Sequence, residues 1–218
     1  MSQKKTGIIF DMDGTLWDSS ANVAASWTEV LKKNPNPDCS GVTQADLMHV
    51  MGWTMTAIAD YFFPTLPEAE KNRIMDACTD YENEYLAVHG GNLYEAVEET
   101  FQKLIADGYS LYIVSNCQSG YIEAFLKYFG FEKYIEDISC FGDTLLSKGQ
   151  TMRLLADKNK LDSFYYVGDI QGDYDATMEA GGTFIHAKYG YGTINAEVRE
   201  IEALKELPML MKELRSSK

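Results

Sequence analysis

Three large apolar residues, Ile8-Ile9-Phe10, run straight into Asp11-Met12-Asp13-Gly14-Thr15. A short apolar run of this kind predicts a strand buried on both faces, and the carboxylates fall at its carboxyl end. The pattern then changes to a helical period for roughly seventy residues, beginning with Val23, Trp27, Val30 and Leu31. Asn34-Pro35-Asn36-Pro37 ends the first helix and Thr43-x-x-Asp46 opens a second as a capping box. Met51-Gly52-Trp53-Thr54 breaks between two helices, and Leu66-Pro67-Glu68 starts a long third carrying Ile74, Cys78, Tyr81 and Tyr85. No strand-like run is expected in this block.

From about His89 helices and strands alternate. Tyr94 to Asp107 reads as a helix with the stripe Val97, Phe101, Leu104 and Ile105, terminated by Gly108. Strands are expected at Ser110 to Asn116, Ile138 to Phe141, Phe164 to Asp169 and Thr183 to Ala187. Such alternation predicts an α/β fold, a parallel Rossmann-like sheet with helices on both faces. The expected division is a core of residues 1–16 and 89–218, with an all-helical unit, 17–88, inserted after the first strand. The tail Ser216-Ser217-Lys218 is expected to be disordered.

Composition narrows the partners. The 218 residues carry 19 Lys and Arg against 33 Asp and Glu, a net charge of −14. That argues against a nucleic-acid polymer or an anionic membrane surface, both of which need a cationic patch, and for a small soluble substrate. Cys39, Cys78, Cys117 and Cys140 lack CxxC spacing, and His49, His89 and His186 show no metal-ligand spacing. With no leader pattern after Met1 and no apolar run near the ~20 residues that span a bilayer, a cytoplasmic location is expected.

The predicted strand ends collect chemistry. Asp11 and Asp13 follow the first strand, Ser115 and Asn116 the second, and Asp169 and Asp173 the fourth; Ser147-Lys148 opens the helical stripe of Leu154 and Leu155 at the same end. At an effective dielectric near 20, two unit charges about 4 Å apart interact by roughly 4 kcal/mol, so several carboxylates here call for a cation. Oxygen ligands without His or Cys favour Mg²⁺. Asp11 is the expected nucleophile, forming an acyl phosphate, and Asp13 the acid that protonates the leaving alkoxide and then the base for water. Thr15, Ser115 and Asn116 would hold phosphate oxygens and Lys148 would offset charge; Asp169 is the expected metal ligand with Asp11, and Asp173 lies beside or behind it.

FDMDGTLWDS, the strand ending VSN, the lone Lys148 and YVGDIQGD resemble, in order, the four motifs of the haloacid dehalogenase superfamily. The likeness extends through EAGGTFIHAKYGYG and is nearest to phosphoglycolate-phosphatase-like members with an inserted helical cap. The resemblance implies a Mg²⁺-dependent phosphomonoester hydrolase, with Asp13 serving the metal through its main-chain carbonyl. Gly149 stands where such relatives usually have proline, which leaves Lys127 and Lys133 as alternative lysines.

Asp13 separates this chain from dehalogenases and phosphonate-cleaving members, which lack the second aspartate. A sugar-phosphate mutase is the alternative, but its relatives carry a histidine twelve residues after the nucleophile, where this chain has Val23. A receiver-type signalling domain fits less well, since it places adjacent acids after the first strand, and a non-catalytic phosphate-binding protein would not need the full set of catalytic groups. Specificity is expected in the helical cap, at Gly52, Trp53 and Thr54, with Trp53 either facing the pocket or buried in the cap. Asp18 reads as a helix cap and Cys117 as an inert thiol. Residues 17–88 hold four Lys or Arg against eleven Asp or Glu, so an ester with a neutral organic portion, such as a sugar or nucleoside phosphate, is expected over phosphoglycolate.

Overall fold

A computed structural model describes residues 5–216. In chain order the elements are β1 (Thr6–Phe10), β2 (Trp17–Asp18), α1 (Ser20–Lys33), α2 (Gln44–Val50), α3 (Met55–Phe62), α4 (Glu68–His89), β3 (Asn92–Leu93), α5 (Val97–Ala106), β4 (Ser110–Ser115), α6 (Tyr121–Phe129) and β5 (Ile135–Cys140). There follow the single turn α7 (Phe141–Thr144), α8 (Lys148–Lys158), β6 (Ser163–Gly168), α9 (Gln171–Ala180), β7 (Thr183–Ala187), β8 (Arg199–Ile201) and α10 (Leu207–Ser216).

Six parallel strands form one sheet in the order β5-β4-β1-β6-β7-β8. The chain leaves β1 toward β4 on one side and returns to β6 on the other, so the carboxyl end of β1 is the switch point where such sheets bind ligands. Alternate strand residues serve two separate cores. Ile8, Phe10, Ile113 and Val167 pack with Phe101, Phe125 and Leu207 from α5, α6 and α10. Ile9, Tyr112, Val114 and Tyr166 pack with Met152, Leu155, Ala176 and Ala180 from α8 and α9. Helices therefore cover both faces, which is why the strands read as unbroken apolar runs.

The helical block differs in detail from its expectation. Val23, Trp27, Val30 and Leu31 are all buried, and Thr43 and Asp46 close the capping box that starts α2. The helix expected third is the fourth, because α3 follows the Met51–Thr54 break. Trp17–Asp18, in the unit expected to be all helical, forms the strand β2, paired antiparallel with β3 where the chain leaves and re-enters the sheet layer. Two residues are too few to show a period. Trp17 is fully buried there, edge-on to Tyr121, Phe125 and Phe129.

Further corrections concern boundaries. The helix expected from Tyr94 starts at Val97, since Ala96 takes a left-handed φ of 63°. β5 begins at Ile135, three residues early, and β8 was not foreseen, its three residues being exposed at the first two positions. Leu155 is buried but Leu154 is half exposed. Ser216, expected to be disordered, ends α10, while Ser217 and Lys218 lie outside the described residues, as does the start of the segment read for a leader. No helix among the described residues is long and apolar enough to cross a membrane.

Candidate active site

Asp11 leaves β1 as the last residue held to the sheet, its N–H donating to the Val167 carbonyl. Its carboxylate is almost entirely buried and accepts from Lys148 Nζ at 2.6 Å. Lys148 Nζ also donates to Asp173 Oδ1 at 2.5 Å. The capping box of Ser147 and Gln150 starts α8 and so places the lysine in the first turn, facing the strand ends. Lys133, by contrast, pairs with Glu98 on the surface, so Lys148 is the cation at this site.

Asp173 reaches back from the first turn of α9, its Oδ2 accepting from the N–H groups of Asp169 (3.1 Å) and Ile170 (3.3 Å). Asp169 Oδ2 accepts from the Tyr191 N–H at 2.7 Å. Asp11, Asp169 and Asp173 thus bring one oxygen each within 4.8 Å of one another, all buried. Gly14 is required beside them. Its φ is +84°, and a Cβ there would lie 2.1 Å from Asp169 Oδ2.

These charges are poorly compensated by protein alone. Burial, and then the charge on Asp173, pushes Asp169 up to about 8. Asp11 rises to about 7, burial outweighing the lowering effect of Lys148. One ammonium facing three carboxylates leaves an excess of negative charge that a hard divalent cation would offset, and the all-oxygen donor set fits one.

Asp13 turns the other way, so its side chain is not in that cluster. Ser19 Oγ donates to its Oδ1 at 2.5 Å and Tyr121 OH to its Oδ2 at 2.7 Å. Burial raises it to about 6, opposed by the Ser19 and Tyr121 hydrogen bonds. A carboxyl poised near neutrality can hold or release a proton over the same pH range.

Asp13, Ser115 and Asn116 line a narrow cavity of about 50 Å³, open at its mouth, between the sheet edge and the helical block. Asn116 Nδ2 donates to the Gly52 carbonyl at 2.9 Å, tying the strand-end loop to the α2–α3 loop. Gly52 and Trp53 line this cavity; Trp53 is also partly exposed and contacts His49 and Tyr61, so it belongs to the pocket wall. Thr54 does not line it. Its hydroxyl caps α3 by accepting from the Ala57 N–H. Thr15 is fully buried, its Oγ1 has no hydrogen-bond partner among the described residues, and of the residues expected around phosphate it alone does not line the cavity. Asp18 accepts from the Ser20 N–H at the start of α1, as expected, and also from Tyr191 OH.

Four contributors were missed: Ser19, Tyr121, Glu82 and Gln118. Glu82, on α4, is buried in the cavity wall, accepts from Trp27 Nε1 and Gln118 Nε2, and is raised to about 7 by burial. Tyr121 follows Asn116 closely enough that its position beyond β4 was a usable signal. Burial pushes the Cys117 thiol well above the ordinary range, in keeping with an inert group.

A central strand ending in two aspartates, with a lysine and two further aspartates brought to the same rim and a helical insertion above, defines a hydrolase of the haloacid dehalogenase type. The chain belongs to the haloacid dehalogenase-like hydrolase family, which it matches over residues 8–187. Its relatives place it in the phosphoglycolate phosphatase-like branch, and the enzyme is a phosphatase. It is 25% identical over 192 residues to a phosphoglycolate phosphatase of Vibrio parahaemolyticus, covering 84% of each chain. To one of Xanthomonas campestris it is 27% identical over 191 residues, 84% of this chain and 83% of that one. A crystal structure described as a predicted phosphoglycolate phosphatase from Haemophilus somnus shares the fold, with a TM-score of 0.79, 23% identity and coverage of 97% of this chain and 100% of the other.

Proposed function

We propose that the protein is a Mg²⁺-dependent phosphomonoesterase that works through an aspartyl phosphate on Asp11. The observation that carries this reading is the Asp11 carboxylate held by Lys148 beside Asp169 and Asp173. When bound by Asp11, Asp169 and Asp173 together with the Asp13 main-chain carbonyl, Mg²⁺ would supply charge neutralisation for the carboxylates and the phosphoryl oxygens.

The side chains then divide the work. An Asp11 oxygen attacks phosphorus, forming an acyl phosphate as the ester oxygen leaves with its bonding electron pair. Asp13, kept ready by Ser19 and Tyr121, gives its proton to that oxygen and later takes one from the water that cleaves the aspartyl phosphate, which returns Asp11 as a carboxylate and releases phosphate. Lys148 offsets charge on Asp11 and on the transferring group, while Ser115 and Asn116 orient it from the cavity wall. Thr15, fully buried, supports the turn that aims Asp13. Residues 17–88 act as a cap over the core of residues 1–16 and 89–218, shielding the reaction from water. No Lys, Arg or His is found among the described residues that line the cavity, which favours a small soluble ester whose organic portion is not a carboxylate, although the curated relatives are named for phosphoglycolate. Four free cysteines agree with a cytoplasmic setting.

The test is phosphate release from a panel of sugar, nucleotide and short carboxylate esters, with Mg²⁺ and with chelator. Release should require the metal, disappear in Asp11→Asn and be poorest with phosphoglycolate. Residual activity of Asp11→Asn equal to wild type would refute the assignment, and phosphoglycolate as best substrate by a wide kcat/KM margin would refute the substrate preference.

A further inference from the structure

Glu82 faces the cavity with a carboxylate that phosphoryl transfer does not use. It is 4% exposed and among the described residues receives only neutral donors, Trp27 Nε1 on Oε2 at 2.5 Å and Gln118 Nε2 on Oε1 at 2.9 Å. An ionised carboxylate has about four lone-pair sites, so two donors leave acceptor capacity unused. A buried carboxylate without a cation is costly, and hydrogen bonds from further donors offset that cost. The described lining contains no cation to supply them. Around Glu82 the walls are largely apolar or aromatic, with Val23, Leu47, Ile58 and Trp53 among them, and Asp13 and Ser115 lie in the same lining. Asp13, the acid that would meet the ester oxygen, lines this space with Ser115 and Asn116, so the organic portion of an ester would extend into it.

We propose that Glu82 determines specificity in the leaving-group pocket, accepting an O–H or N–H of the ester's organic portion and repelling a carboxylate there. The proposal rests on the phosphomonoesterase reading and gives its substrate class a named residue. Burying a donor against Glu82 satisfies both partners, whereas a second carboxylate would share a confined low-dielectric space with a like charge.

Three esters of matched length test it: 2-aminoethyl phosphate, 2-hydroxyethyl phosphate and phosphoglycolate, with p-nitrophenyl phosphate as a reference in every variant. Wild type should favour the first two over phosphoglycolate by at least about tenfold in kcat/KM. Glu82→Gln, similar in shape but uncharged, should shrink that ratio at least about tenfold, chiefly by lowering KM for phosphoglycolate and raising it for the amine. Glu82→Asp keeps the charge and should retain the rejection of phosphoglycolate while raising KM for both donor esters; if Glu82→Gln does not fold, this variant carries the test. Ester ratios unmoved in the folded variants would assign Glu82 to structural bridging alone and overturn the proposal. Absence of metal-dependent release from all four esters by wild type would instead overturn the phosphomonoesterase reading and the proposal with it.

Discussion

Lys148 occupies the first turn of α8, where the helix dipole disfavours a cation. Two carboxylates, from Asp11 and Asp173, hold it there at 2.6 and 2.5 Å, and all three groups are buried. Lys148→Met would leave Asp11, Asp169 and Asp173 facing one another without an ammonium. Steady-state kinetics should show kcat reduced by about 10²-fold or more. In chelator at pH 7.5 the variant should lose about 3 to 5 kcal/mol of stability, and acid should restore part of it by protonating the carboxylates. A kcat within twofold of wild type would remove Lys148 from the chemistry. Asp11 and Asp169, which Lys148 faces, were legible because an apolar strand ending on a charge is improbable without a ligand. Ser19 and Glu82 were not, since their roles depend on contacts such as the one joining Ser19 to Tyr121, 102 residues away. Thr54 misled for the opposite reason: its position in a break between helices suits a pocket residue and an N-cap equally.

At the scale of elements, the α2–α3 loop links the helical block to the strand ends. Gly52 has φ +82°, its carbonyl accepts from Asn116, and a Cβ on it would come within 2.4 Å of Ile170 Cδ1. Gly52→Ala should therefore cost about 1 kcal/mol of stability in denaturant melts and raise KM severalfold, because both the left-handed backbone and the close approach to the α9 loop are disturbed. Unchanged KM across the ester panel would mean that the loop plays no part in closure. Regular periods made α1, the Thr43 capping box and the strand at Thr183–Ala187 readable in advance. The β2–β3 ribbon escaped because its pairing joins Trp17 to Leu93, a contact that neither segment encodes alone. Ala96 delayed α5 by a left-handed turn that its sequence does not announce.

The whole molecule carries a net charge of −14 and concentrates raised carboxyls at one rim. Asp13, Asp11, Glu82 and Asp169 sit at about 6, 7, 7 and 8, all above the ordinary carboxyl value near 4. A group raised on folding contributes stability that is fully present below its unfolded value and lost as pH rises through its folded one. Between pH 5.5 and 8 the metal-free protein should therefore become less stable. Surface carboxylates held low, such as Asp46 and Glu70, work in the opposite direction but are solvent-screened and act mainly below that window. Mg²⁺ displaces protons from the acidic cluster, so its stabilisation, about 2.7 kcal/mol at a hundredfold excess over Kd, should be larger at pH 8 than at pH 5.5. Thermal melts with Mg²⁺ or chelator at both pH values check this; an equal Tm increment at the two would contradict it. Fold class was legible at this scale because the switch from helical to alternating periods exposes both the sheet and the insertion. The residues that line the cavity were not legible at this scale, since the cavity is assembled from α1 to α4 and two strand-end loops.

Whether Asp11 carries the phosphoryl group is read out by a rapid-quench experiment on Asp13→Asn with p-nitrophenyl phosphate and Mg²⁺. A nitrophenolate leaving group needs no proton, so the first step proceeds, while water attack without its base is slowed. A burst of one nitrophenolate per active site is expected, with the phosphoryl label mapped to the peptide containing Asp11. Linear release without a burst, or label on any other residue, would contradict it.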